Sequence, residues 1–320
     1  MRVADFDVRA ATLDDAAAVA ELETSVHPDD AVDPKLLRHW WSTESSEGVK
    51  ERLIGVRNGM VVAHAFRMHP PWDKMPERFC RIGGEIRGDL RTADRFDPLL
   101  AMLEDRAGGD GSEKLTIWSW ERDRFRREVL EARGYGEIRR QRFWELDLRA
   151  NRDTLERMAR DSRAQMKKEG IVLLTLAEDR DPAKFDKLKR MSDEAEQDVP
   201  TTAPFVQVPM DEWIKWFSSP GLRPDRIWIA REGDDIVGIS MLSYPPVRGV
   251  VSTDWTATAR KVRGRGVARA LKCETVMQAI ALGVARVRTD NDSQNAPILH
   301  INETMGYQIR AEMVQYLKEV

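Results

Sequence analysis

Arg263-Gly264-Arg265-Gly266-Val267-Ala268 is the stretch on which the reading of this chain turns. An apolar, Thr-rich run from Gly249 to Ala259 precedes it, and a helical pattern from Val267 to Leu282 follows. A strand, a tight basic glycine turn and a helix in that order make an anion site. The glycines let backbone N–H groups crowd together, and the helix N-terminus adds its partial positive charge.

The elements around this turn recur in the first half of the chain. Ile171 to Ala177 reads as a strand, and Pro182 to Glu196 as a helix with Phe185, Leu188 and Met191 on one face. Trp213, Ile214, Trp216 and Phe217 of the next short helix echo Leu36, Leu37, Trp40 and Trp41. Arg226 to Arg231 and Ile236 to Leu242 form a hairpin, as Arg52 to Arg57 and Met60 to Met68 do across Asn58-Gly59. Both hairpins run into a double proline, Pro70-Pro71 and Pro245-Pro246. Both halves place Gly-Tyr, at Gly134-Tyr135 and Gly306-Tyr307, before a final strand. An offset of roughly 172 to 175 residues at domain length means two copies of one fold. The expected division is 1–149, a charged helical connector on the surface over 150–170, and 171–320.

The copies differ at the turn. Its counterpart is Arg91-Thr92-Ala93-Asp94-Arg95-Phe96, where both glycines are missing and Asp94 would repel an anion. The first copy is therefore expected to keep the fold without the anion site.

Composition narrows the function classes. The 320 residues suffice for two domains, and 42% hydrophobic with 33% charged residues describes a globular chain. A net charge of -3 gives no pull toward nucleic acid or an anionic membrane. With no apolar run of spanning length and no signal-peptide core in residues 1–12, a cytoplasmic location is expected. Cys80 and Cys273 make no metal spacing and read as buried thiols, so no metal is expected.

The pattern Arg-x-x-Gly-x-Ala between a strand and a helix resembles the cofactor motif of the GNAT acetyltransferase superfamily. Downstream, Thr289-Asp290-Asn291-Asp292-Ser293-Gln294-Asn295-Ala296-Pro297 leads into Ile301-Asn302-Glu303-Thr304-Met305-Gly306-Tyr307, which is similar to the family's second block. The element order over 171–320 fits the family, and the first half matches in element order only. The resemblance implies an α/β fold of two tandem domains, each a twisted, mostly antiparallel sheet flanked by helices. The layout is similar to that of mycothiol synthase-type proteins.

Acetyl-CoA or coenzyme A is then the implied cofactor. The resemblance implies that amides of Arg265, Gly266, Val267 and Ala268 bind its pyrophosphate, with Arg263 and Gly264 shaping the turn. It also implies that Thr256, Ala257 and Thr258 hold the thioester, with an amide near Thr258 as oxyanion donor. Asn295, and more weakly Asn291, would bond the pantetheine or phosphate arm, although Asn295 also reads as a helix cap. Arg260, Lys261, Arg263, Arg265 and Arg269 form a basic cluster, either a solvated patch or an attractor of the CoA phosphates.

Amine acetylation needs a base, and Asp254 is the only carboxylate on the strand before the turn. Simple alternation puts it on one face with Ser252, Thr256 and Thr258, opposite Trp255 and Ala257. Many family members carry a general-acid Tyr where this chain has Asn302, so Asn302 or water is a weak substitute. His300 reads as a surface or packing residue. On the following helix, Ala270, Cys273, Met277, Ile280 and Val284 form the core stripe, with Lys272 and Glu274 outside it.

The leading expectation is a cytoplasmic N-acetyltransferase acting by direct attack in the C-terminal copy, on a small-molecule amine. The alternative is a non-catalytic acyl-CoA sensor or assembly module. An acidic cluster, Asp193, Glu194, Glu196 and Asp198, would suit a cationic acceptor, although solvated helix charges explain it more simply. The sequence fixes neither the acceptor nor the oligomeric state.

Overall fold

The computed structural model describes residues 1–44 and 47–320. The first half contains β1 (Arg2–Val3), β2 (Phe6–Ala10), α1 (Ala16–Val26), α2 (Pro34–Thr43), β3 (Val49–Arg57), β4 (Met60–His69) and β5 (Phe79–Ile86). It continues through α3 (Ala93–Gly109), β6 (Lys114–Trp120), α4 (Arg124–Ala132) and β7 (Gly136–Asp147). Then α5 (Arg152–Lys168) leads to β8 (Ile171–Thr175), α6 (Lys184–Glu196) and α7 (Met210–Trp213), which a 3-10 turn extends over Ile214–Ser218. The chain ends with β9 (Ile227–Glu232), β10 (Asp235–Ser243), β11 (Ser252–Thr258), α8 (Val267–Ala281), β12 (Arg286–Asp292), α9 (Ala296–Met305) and β13 (Gln308–Glu319).

The duplication is plain in these bounds, because β12 begins 172 residues after β6, at 286 against 114. The two expected sheets, however, are one. The strand order is β1-β2-β3-β4-β5-β6-β13-β7-β12-β11-β10-β9-β8. The final strand of each half has crossed into the other half's sheet: β13 lies against β6, β7 lies against β12, and the two pair with each other antiparallel. Gln308 faces Glu145 and Leu317 faces Gly136, so repeat mates swap partners as across a two-fold axis.

The cores follow the exchange. Val314 and Tyr316 of β13 are buried with Phe96, Leu100 and Leu115 of the first half. Trp144 and Leu146 of β7 are buried with Cys273, Val276 and Leu299 of the second. Residue 149 separates the sequence repeats without separating the cores.

The 150–170 segment is more than a surface connector. Leu155, Ala159 and Met166 of α5 are buried, and Arg163 forms a bidentate pair with Glu274 of α8 at 2.6 and 2.8 Å. With the sheet on one side and α5 on another, α8 is covered beyond its apolar stripe. Lys272 and Glu274, expected outside the core, are therefore buried.

Candidate active site

The site arises where β11 and β12 part. These parallel strands pair only at Ser252 and Arg288, then splay. Beyond that point, the edge of β11 facing β12 has no ladder partner. Every second N–H and C=O on it is free to bond something in the gap.

A bulge re-aims β11 at the start of the splay. Met241 of β10 faces Trp255 and Leu242 faces Thr253, which leaves Asp254 as the extra residue. This corrects the simple alternation. Thr256 Oγ1 meets Ser240 Oγ at 2.9 Å, on the face where a Cβ on Gly238 would touch Leu271 and Val267 of α8. Asp254 instead bonds Trp216 of the turn after α7, so it belongs to the opposite face.

A cavity of about 730 Å³ fills the splay and passes through the sheet. On the α8 side it is lined by Gly264, Gly266, Val267, Ala268 and Arg269, and by Asn295, Ile298 and Ile301 of α9. Thr256, Ala257 and Thr258 form its strand wall. On the other side it meets Trp255 and the segment after α6, at Asp198, Val199 and Pro200.

The glycine turn has the geometry of an anion cradle. Gly264 and Gly266 have φ of 77° and 84°, and a Cβ on Gly264 would project into open space. The first N–H groups of α8 have no acceptor within the helix. The Arg265 N–H is already given to the Val262 carbonyl, so the cradle is narrower than expected and runs from Gly266 onward. Gln165 of α5 braces it, donating to the Arg265 carbonyl at 2.8 Å and accepting from Arg269 at 3.2 Å.

The basic cluster is largely neutralised. Arg260 and Arg263 both bind Asp198, Lys261 binds Asp235, and Arg265 binds Glu169 and Glu232. Arg269, which bonds Gln165 and lines the cavity, is the cation best placed for a phosphate. The acidic cluster is spent in the same way: Asp193 holds Lys189, and Asp198 straps the segment after α6 onto the turn.

Asn295 caps α9 by position, yet its side chain makes no capping bond and lines the cavity. Asn302 does neither. It is 0% exposed, and its Nδ2 donates to Asn291 Oδ1 at 2.7 Å. Both asparagines are thus engaged in fastening α9 to β12, and Asn302 is enclosed away from any leaving group. His300 is exposed, as its surface reading allows, and it also lines the cavity because Pro297 and Ile301 share its side of α9.

Asp254 carries unusual electrostatics. Burial pushes its pKa up, the Trp216 bond pulls it down, and the neighbouring Asp290 carboxylate raises it further. Asp290 is raised by the protein packed around it, opposed by its bond from Gln141. Neither aspartate has an ion-pair partner among the described residues. Sequence reasoning missed Asp290 and Gln141 because the register of β11, β12 and the exchanged β7 brings them to the site.

The first half shows the same splay plugged. β5 and β6 pair only from Phe79 to Arg81, but β4 and β5 run in register from Ala63 to Met68 without a bulge. The α4 cap Asp123 stands 172 residues before Asn295, so Arg126 corresponds to Ile298. Arg126 reaches into the gap and donates to the Gly84 carbonyl at 2.7 Å. Glu85, bonded by His27 and Arg91 and 3.4 Å from Arg126, closes the rest.

The residues of the second-half groove fit coenzyme A. A helix-start cradle at one end suits a pyrophosphate, and an open strand edge suits the amide-bearing pantetheine arm. The volume is in the range of a cofactor pocket. Comparison with known proteins agrees. Residues 188–307 match the acetyltransferase (GNAT) family. Among solved structures, a tandem GNAT protein from the clavulanic acid biosynthesis pathway superposes with a TM-score of 0.74 at 14% identity, over 98% of both chains. A GCN5-related N-acetyltransferase from Sphaerobacter thermophilus gives 0.67 at 18% identity, over 98% of this chain and 96% of that one. A GNAT-family acetyltransferase from Colwellia psychrerythraea gives 0.60 at 9%, over 98% and 100%. At these identities the likeness is one of fold, and it extends to the tandem layout. No curated protein matches the sequence. Among the described residues no helix is long and apolar enough to cross a membrane.

Proposed function

We propose that the chain is an acetyl-CoA-dependent N-acyltransferase that moves an acetyl group to a small amine by direct attack in its C-terminal half. One observation carries this reading. A single cavity runs through the sheet from the anion cradle of α8 to Trp255, next to the recessed carboxylate of Asp254.

Acetyl-CoA, when bound, supplies an activated thioester carbonyl. Gly266, Val267 and Ala268 would hold its pyrophosphate with backbone amides, helped by Arg269. Thr256, Ala257 and Thr258 would bond the pantetheine arm through their free strand edge, and an amide there would face the developing oxyanion. Asp254, its proton affinity raised by burial, would take a proton from the acceptor's ammonium, directly or through water, so that the neutral amine attacks the thioester carbonyl. Asp290 adds negative charge beside it and favours a cationic acceptor.

Direct attack is preferred over an acyl-enzyme because Cys273 is enclosed and burial pushes its thiol up to about 11. The enclosed Asn302 leaves the thiolate without a side-chain acid, which is the observation that keeps the sensor reading alive. Calorimetric titration of CoA followed by thiol release from acetyl-CoA across an amine panel tests both. Binding without turnover on any acceptor would favour the sensor. Gly266→Glu is expected to abolish CoA binding while Asp94→Gly leaves it unchanged, and equal losses would refute a single site.

A further inference from the structure

We propose that Trp255 is the specificity-determining wall of this site and limits the acyl donor to short groups. The inference rests on the reading of the splay as an acyl-CoA groove. It adds what that reading leaves open: where the acyl end of the groove stops.

Trp255 alternates with Thr256 and so faces away from α8, and the bulge at Asp254 brings that carboxylate to the same face. Its ring therefore stands at the far end of the cavity, on the face opposite the cradle. A bound cofactor with its phosphates at α8 runs down the strand edge from Thr258 to Thr256 and arrives at this indole. The wall is backed by packed aromatics. Trp216 lies 6.3 Å from Trp255 and 6.0 Å from Phe217, which in turn packs edge-on against Trp213 at 4.9 Å and Phe185 at 5.3 Å. The Trp216 Nε1 bond to Asp254 pins the first of these rings. Across the groove, Ile298 and Ile301 belong to α9, which is fastened to β12 through Asn302 and Asn291. A longer acyl chain would have to displace a ring that is backed by Trp216.

The Trp255 indole N–H has no hydrogen-bond partner among the described residues. Its replacement therefore breaks no bond, and shape alone is tested. At the matching place the first half has Gly83, which is no guide to acyl size because that splay is closed by Arg126.

The test is calorimetric binding of acetyl-, butyryl- and hexanoyl-CoA to the full chain, with thermal melting as a fold control. The unaltered protein is expected to bind hexanoyl-CoA at least tenfold more weakly than acetyl-CoA. Trp255→Ala should reverse the series, gaining about fourfold per added methylene as apolar surface finds room. Trp255→Phe, which keeps an aromatic wall, should stay close to the unaltered protein. Trp255→Leu serves as a second opening variant if the alanine protein melts early. Equal affinity of the unaltered protein for acetyl- and hexanoyl-CoA would overturn the inference. So would an unchanged series in both opening variants. If neither CoA nor any acyl-CoA binds the unaltered protein, the acyltransferase reading itself falls, a result distinct from either of these.

Discussion

Trp216 Nε1 donates a 2.7 Å hydrogen bond to Asp254 Oδ2 and so ties the turn after α7 to the bulge of β11. Burial raises the pKa of Asp254, and this bond is what opposes the rise. Trp216→Phe removes the donor and favours the protonated carboxyl. The acid limb of a kcat/KM–pH profile should then move to higher pH. Loss of the bond should also destabilise the fold by about 1–3 kcal/mol, read from denaturant midpoints. An unmoved limb would show that Asp254 is not the titrating base.

Asp254→Asn keeps an acceptor for Trp216 and removes the base. We expect kcat to fall by about 10²–10⁴ with CoA affinity within twofold. Because the folded-state pKa of Asp254 is raised, the folded protein holds its proton more tightly than the unfolded chain. The native carboxylate thus lowers stability as pH rises above its ordinary value. Asp254→Asn should melt later than the unaltered protein at pH 7, with the difference vanishing in acid.

Lys272 offers a second linkage test. It is 2% exposed, its Nζ has no hydrogen-bond partner among the described residues, and it lies 5.1 Å from the Tyr307 ring centre. Burial lowers its pKa to about 8 from 10.5. The unfolded chain binds the extra proton between those values, so stability should rise with pH from about 8 to 10.5. Lys272→Met should abolish that rise and add on the order of 2–3 kcal/mol at pH 7. Urea melts at pH 7 and 10 of both proteins decide it.

Arg126→Leu unplugs the first-half splay without making a second site. Glu85 would lose one of the cations that hold it at about 2 against the opposing effect of burial. Its stabilising contribution, present above pH 4.5 and lost as pH falls toward 2, should then be lost at higher pH. We expect a destabilisation of about 3 kcal/mol and unchanged CoA stoichiometry. Two bound CoA molecules per chain would mean that Arg126 alone closes a competent site.

Local chemistry made much of this legible in the residues. The hairpin turns, the glycine turn before α8, the paired Gly-Tyr marks and the 172-residue repeat all depend on a few neighbouring residues. A linear reading recovers such features. The loss of the anion cradle at Arg91 to Phe96 was visible for the same reason. The bulge at Asp254 was not, because a bulge is a mismatch between two strands and no single strand records it. The misplacement of Asp254 followed from that, and the enclosure of Asn302 from α9's rotation on the sheet.

The sequence by itself determined the two copies, their order of elements and the one surviving helix-start cradle, since backbone preference and hydrophobic period act within a few residues. Only the tertiary structure decided that the copies share one sheet, that β7 brings Gln141 to Asp290, and that Trp255 lines the cavity at the splay. These depend on strand register and on exchange between segments about 170 residues apart. Contacts at that distance are settled by which buried surfaces fit together, and no local pattern carries that information.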